Sequence, residues 1–139
     1  MAAIEPAELK ITVSIEDDIV VARQKAREFA KSIGLGVVDQ SRVATAVSEL
    51  TRNVIRYATD GRGEVYIRHL GSSTRSGIEI VVADQGPGIS DIDQALIERF
   101  TSSRGMGLGL SGTRRLMDSM EIDSVVGHGT TVTIRKWRR

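Results

Sequence analysis

The sequence predicts an α/β fold in two layers, a mixed, mostly antiparallel sheet with helices on one face. Two observations predict it. Apolar periodicity runs in the order strand, two helices, two strands, a glycine-rich stretch, one helix and two strands, an order that suits helices stacked on a sheet. The length of 139 residues, with 40% apolar and 27% charged residues, fits one domain over 1–139 built on one core.

Leu9, Ile11, Val13 and Ile15 alternate with polar residues, as in a half-buried strand. Ser14, Asp17 and Asp18 then offer helix-start chemistry. Ile19, Ala22, Ala26, Phe29, Ala30 and Ile33 recur at helical spacing until Gly34 and Gly36 end the run. A second helix is expected from about Asp39 to about Ala58, with Val43, Ala46, Val47, Leu50, Val54 and Ala58 as its apolar stripe. Residues 59–63 read as a turn, and 64–70 and 78–83 as strands joined by a long polar loop. A short helix is expected near 91–98, and Gly105 to Gly109 form a glycine-rich loop. A third helix is expected to carry Leu110, Thr113, Met117 and Met120, with Leu116 beside them. The final stretch, 122–137, reads as two strands joined at Gly127, His128 and Gly129.

Composition removes several classes of function. A formal net charge of +1 supplies no global field for nucleic acid. Without cysteine there is no disulfide, thiolate metal site or cysteine nucleophile. The first ten residues include Glu5 and Glu8 and lack the apolar run of a signal peptide. No apolar run approaches the roughly 20 residues that span a bilayer. A cytoplasmic protein is expected.

Four local patterns carry chemistry. Glu49 and Asn53 are four residues apart and stack on one helix face beside the apolar stripe. Such a carboxylate and carboxamide suit a hydroxyl proton and a hard cation; taken singly, a solvated helix edge is the simpler account. Asp84-Gln85-Gly86-Pro87-Gly88 follows a strand. The acid can accept from an exocyclic amine, and the glycines let backbone approach a flat ring; an ordinary turn explains the run as well. Gly105-Met106-Gly107-Leu108-Gly109 leads into a helix and suits an anion, or is a loop without a ligand. It matches neither of the common phosphate-loop spacings. Gly127-His128-Gly129-Thr130 puts a hydroxyl at a strand start, and a plain turn explains it too.

In this order the four patterns resemble the Bergerat-fold (GHKL) ATPases and kinases. Glu49 to Asn53 is similar to the N box and Asp84-x-Gly86-x-Gly88 to the G1 box. Gly105-x-Gly107-x-Gly109 is similar to the G2 box, and Gly129-Thr130 to the closing pair. The stretches 18–54, 84–92, 110–119 and 136–139 further resemble the RsbT-type switch kinases of the stressosome. Leu110-Ser111-Gly112 departs from that pattern, which carries a proline there.

The resemblance implies a Mg²⁺- and ATP-dependent serine/threonine kinase. It implies STAS-domain proteins as substrates and a PP2C-type phosphatase as the effector activated after release. Asp84 is implied to take the adenine amine, assisted by Thr130, with Gly86 and Gly88 beside the base. Asn53 is implied as the Mg²⁺ ligand. Gly105, Met106, Gly107, Leu108 and Gly109 would cover the phosphates, and Glu49 would be the catalytic base. An ATP-dependent anti-sigma factor with feedback kinase activity is the alternative within the same superfamily.

Other residues read more plainly. Arg52 and Arg104 are solvated or reach Glu49 or a phosphate. His69 and His128 form no metal set. Arg135, Lys136, Arg138 and Arg139 are expected as a solvated edge around an anchored Trp137, or as a docking patch for an acidic partner.

Overall fold

Residues 8–58, 62–71, 74–86 and 109–139 are described by a computed structural model. Among them the chain forms β1 (Glu8–Val13), α1 (Glu16–Ser32), α2 (Val37–Tyr57), β2 (Gly63–Gly71) and β3 (Ser76–Asp84). It continues as α3 (Gly109–Leu116), β4 (Ser119–Val125) and β5 (Gly129–Trp137). The helix expected near 91–98 lies outside the described residues. The strands lie in the order β1-β2-β3-β5-β4, and each described pairing is antiparallel.

Alternation along the strands divides the sheet into two faces. Val13, Val65, Ile67, Ile78, Ile80, Val132 and Ile134 are buried in one core with Ala22, Ala26 and Phe29 of α1 and Val43, Val47, Leu50 and Val54 of α2. The α2 stripe matches that read from periodicity. Serine and threonine inside α2 do not open it, because Ser48 and Thr51 hydroxyls donate to the carbonyls of Ala44 and Val47 at 2.9 and 2.7 Å.

Two boundaries differ from the sequence expectation. Ile15 does not continue β1; it caps α1 and is exposed. Asp18 explains this, since its Oδ2 accepts from the backbone N–H of Ser14 at 2.9 Å and of Ile15 at 3.0 Å. Those amides belong to the helix start rather than to a strand ladder, and the bonds hold the Asp18 carboxyl below its ordinary pKa. At the other end of α1, Gly34 takes φ +93°, and Leu35 N–H donates to the Ala30 carbonyl at 3.0 Å.

The third helix is shorter than expected. It stops at Leu116, and Met120 lies in β4 opposite Ile134. The Asp118 N–H donates to the Arg135 carbonyl at 2.9 Å, which begins the β4–β5 ladder. Met117 and Met120 therefore both lie past the helix, Met117 in the bend that follows it and Met120 in β4. Lys136 also departs from the solvated-edge reading. It is buried, donates to the Leu116 carbonyl at 2.9 Å, and lies 3.7 Å from Asp39 and 3.5 Å from Asp118. It thus fastens the carbonyl end of α3 to α2 and β5, the end that favours a cation.

On the face away from the helices, Glu79 is buried between its two cross-strand neighbours. Arg68 lies 2.5 Å away and Arg135 2.8 Å, and Arg135 also reaches Glu121 at 3.0 Å. Burial disfavours the Glu79 charge, but hydrogen bonds and attraction from both arginines outweigh it and lower its pKa below 4.5. A depressed folded-state pKa adds stability that is complete above the ordinary value and disappears as pH falls through the folded value. Glu79→Gln is therefore expected to cost about 1–2 kcal/mol at neutral pH. Urea unfolding as a function of pH checks this: the gap between wild type and variant should close on acidification below the carboxylate range.

Candidate functional site

The site forms where β3 ends beside the start of β5. Ala83 pairs with Thr131, so the next residue, Asp84, comes level with Gly129 and Thr130. Asp84 Oδ1 accepts from the Gly86 N–H at 2.8 Å and from the Thr130 N–H at 3.3 Å. The first bond closes an Asx turn, and the second ties that turn to β5. Among the described residues, Oδ2 takes no hydrogen bond. The Thr130 hydroxyl is held 2.9 Å from the Ser124 hydroxyl of β4.

Gly129 makes this approach possible. Its φ is +121°, and a Cβ there would fall on the Asp84 carbonyl oxygen and against Gln85 Cα. Only a glycine combines that backbone with that contact. Gly63 works similarly at the start of β2, where a Cβ would meet the Ala83 carbonyl and Val54.

α2 supplies the opposite wall. Asn53 joins Asp84 and Thr130 around a small pocket whose walls are Leu50, Val54, Val82, Leu110 and Val132. Apolar walls with a few convergent polar groups are the usual makeup of a small-molecule site. The buried Asn53 Nδ2 has no hydrogen-bond partner among the described residues. An unmet buried amide costs about 1–3 kcal/mol, so a ligand that meets it gains correspondingly. A half-turn of the carboxamide presents Oδ1 in its place, which suits a hard cation.

Glu49 lies one helical turn before Asn53 and is largely buried, but it is not part of the pocket wall. Arg52 donates to Glu49 Oε1 at 2.9 Å, so Arg52 holds the carboxylate instead of standing free in solvent. Gly86 is positioned by Asp84, and Gly109 is the first residue of α3. Gly88, Gly105, Met106, Gly107 and Leu108 lie outside the described residues, as does Arg104. His69 Nε2 lies 3.1 Å from the Ser76 hydroxyl. Among the described residues no cluster of three or more His, Cys, Asp and Glu could hold a metal.

The pocket's apolar side chains carry no local sign of a site in the sequence. Alternation marks Val82 and Val132 as inward, but nothing local says that they end at a pocket. Apart from the resemblance of Gly129-Thr130 to the closing pair, local pattern shows Gly129 only as part of a turn, because the strand it must clear is 45 residues earlier in the chain.

The family described as histidine kinase-, DNA gyrase B-, and HSP90-like ATPase matches residues 38–139. The chain is 44% identical over 129 residues to the serine/threonine-protein kinase RsbT of Bacillus subtilis, covering 93% of this chain and 96% of that one. It is 30% identical over 127 residues to the anti-sigma F factor of Clostridium beijerinckii, covering 89% of each. In structure it is similar to the RsbU and RsbW domains of a Mycobacterium tuberculosis protein, with a TM-score of 0.63 and 22% identity. That match covers 94% of this chain and 32% of the other.

The packing of Gly129 against Asp84 has a direct consequence. Gly129→Ala is expected to cost about 1–3 kcal/mol through strained backbone, and to push the β5 start away from Asp84. Chemical denaturation measures the first effect. The amide shifts of Gly86 and Thr130, both donors to Asp84, report the second.

Proposed function

Because the chain belongs to the histidine kinase-, DNA gyrase B- and HSP90-like ATPases, and within them to the family of the RsbT serine/threonine kinase, we propose that it phosphorylates a STAS-domain protein in a bacterial partner switch. One observation supports this most: Asp84, Thr130 and Asn53, from β3, β5 and α2, surround one pocket with an unpartnered buried amide. In this reading the protein is cytoplasmic. Among the described residues, no helix is long and apolar enough to cross a membrane.

The substrate is ATP. Asp84, with Oδ1 committed to backbone amides, offers Oδ2 to the adenine amine; Thr130 and Gly86 keep the carboxylate in that orientation. Val82, Val132, Leu50 and Leu110 exclude water around the base. Gly88 and the run from Gly105 to Gly109 are the proposed cover for the base and phosphates. Asn53 is the proposed ligand of Mg²⁺, which when bound neutralises charge on the phosphate oxygens.

Glu49 is the proposed base, one turn along α2 from Asn53. Arg52 orients it toward the proton of a serine or threonine hydroxyl. Little covalent chemistry is asked of the protein, since phosphoryl transfer depends chiefly on positioning and charge neutralisation. After transfer, the kinase leaves its STAS partner and activates a PP2C-type phosphatase. The similarity to an anti-sigma F factor favours a second reading, in which the same pocket serves a protein that sequesters a sigma factor. The higher identity to the kinase, over more of the chain, favours the first.

Glu49→Gln separates binding from transfer. The variant is expected to bind ATP with wild-type affinity and to transfer phosphate about 10²-fold more slowly, the low end for loss of a general base. Single-turnover transfer to a purified STAS protein, with calorimetric ATP titration alongside, checks both. Wild-type transfer would remove Glu49 from the chemistry, and loss of ATP binding would make it a structural residue.

A further inference from the structure

We infer that the end of the sheet opposite the nucleotide pocket carries a second site, an oxyanion-binding dock for an acidic segment of a protein partner. The site is an open hollow lined by Thr74, Arg75, Ser76, Arg138 and Arg139. Ser76 begins β3 and Asp84 ends it, so eight residue steps separate the two sites, roughly 26 Å of extended strand. The hollow is therefore no extension of the ATP pocket, and the inference stands independently of the kinase reading.

The C-terminal basic residues divide into two groups. Arg135 and Lys136 are taken up by internal partners, Glu79 and Glu121 for the first and the Leu116 carbonyl for the second. Arg138 and Arg139 turn instead toward the β2–β3 loop, where Arg75 joins them. Three guanidinium groups meet there, and among the described residues their one carboxylate partner is Asp118, bonded to Arg139. Asp118 is already shared with Lys136 and accepts from the Trp137 N–H at 2.8 Å. Positive charge is thus left in excess at the hollow.

The arginines are also held in place. Arg75 stacks on the Trp137 ring, 4.0 Å from its centroid. Trp137 in turn lies over Gly77, where a Cβ would strike the ring. The Arg138 N–H donates to the Ser76 carbonyl at 2.8 Å, and the Arg138 side chain runs along Gly34. Fixing a guanidinium before binding lowers the ordering cost of each bond it makes. Planar forks of this kind match carboxylate and phosphate oxygens. Their spread over two chain segments around an open hollow fits several linked carboxylates better than one small anion.

Trp137 is the sole tryptophan of the chain and sits under Arg75, so its fluorescence reports on the site. Hexaglutamate titrated into the full chain should give a saturable change that weakens with added salt. Calorimetry should show hexaglutamate binding at least about tenfold weaker to Arg75→Ala/Arg138→Ala. ATP titration of the same variant should match wild type, which verifies the fold and tests the nucleotide site separately. Arg138→Glu, an exposed charge reversal that leaves the stacked Arg75 in place, should abolish the fluorescence change. Absence of a saturable change in wild type would overturn the inference, as would undiminished binding by both variants. Inorganic phosphate binding as tightly as hexaglutamate would overturn the assignment to a protein segment.

Discussion

Asp84 is held by two backbone amides, Gly86 within its own turn and Thr130 on the neighbouring strand. That cross-strand bond is the contact on which the pocket depends. It requires the β5 start to come against the end of β3, and Gly129 is the residue that permits it. Once the bond is made, one carboxylate oxygen is committed and the other is aimed. Ser124 of β4 meets the Thr130 hydroxyl, so Thr130 is bonded to β3 through its backbone N–H and to β4 through its side chain.

The remaining wall comes from α2, and the core decides where α2 lies. Val43, Val47, Leu50 and Val54 are buried in the core that the helices share with the sheet, which fixes the helix rotation and hence the direction of Asn53. Lys136 completes the frame from below. By binding the carbonyl end of α3 near Asp39 of α2, it joins the helix that carries Leu110 to the helix that carries Asn53. A buried cation in that position acts at a distance on the pocket, through the relative placement of two walls. The ion pairs around Glu79 act on the other face and hold β2, β3, β5 and β4 together side by side.

Much of this was legible in the sequence because it rests on local pattern. The strands of alternating residues, the stripe of α2 and the glycine punctuation follow from periodicities that each segment carries within itself. The polar residues of the site were legible for the same reason: each stands at an element end or beside an apolar stripe, where a polar residue calls for a partner. What depends on partners far along the chain was not legible. Ile15 looked like a strand residue because the capping bonds of Asp18 compete with strand pairing, and spacing alone does not show which wins. Met120 looks helical because its spacing continues that of Thr113 and Met117, although the helix has already ended at Leu116. Lys136 and Arg138 look alike in sequence, yet one is buried against Asp39 and Asp118 and the other lines an open hollow, a division made by where β5 ends, at Trp137, and by partners that spacing does not show.

In the proposed function the Asp84 carboxylate reads the nucleotide base. On that proposal adenine presents an amine to it, whereas guanine would present a carbonyl oxygen in the same place and meet repulsion. Calorimetric titration of wild type and Asp84→Asn with ATP and with GTP tests this most directly. The account predicts that wild type binds ATP at least about tenfold more tightly than GTP, and that Asp84→Asn, still folded, loses about 1–3 kcal/mol of ATP binding and most of that preference. Equal affinity of wild type for the two nucleotides, or an undiminished preference for ATP in Asp84→Asn, would contradict it.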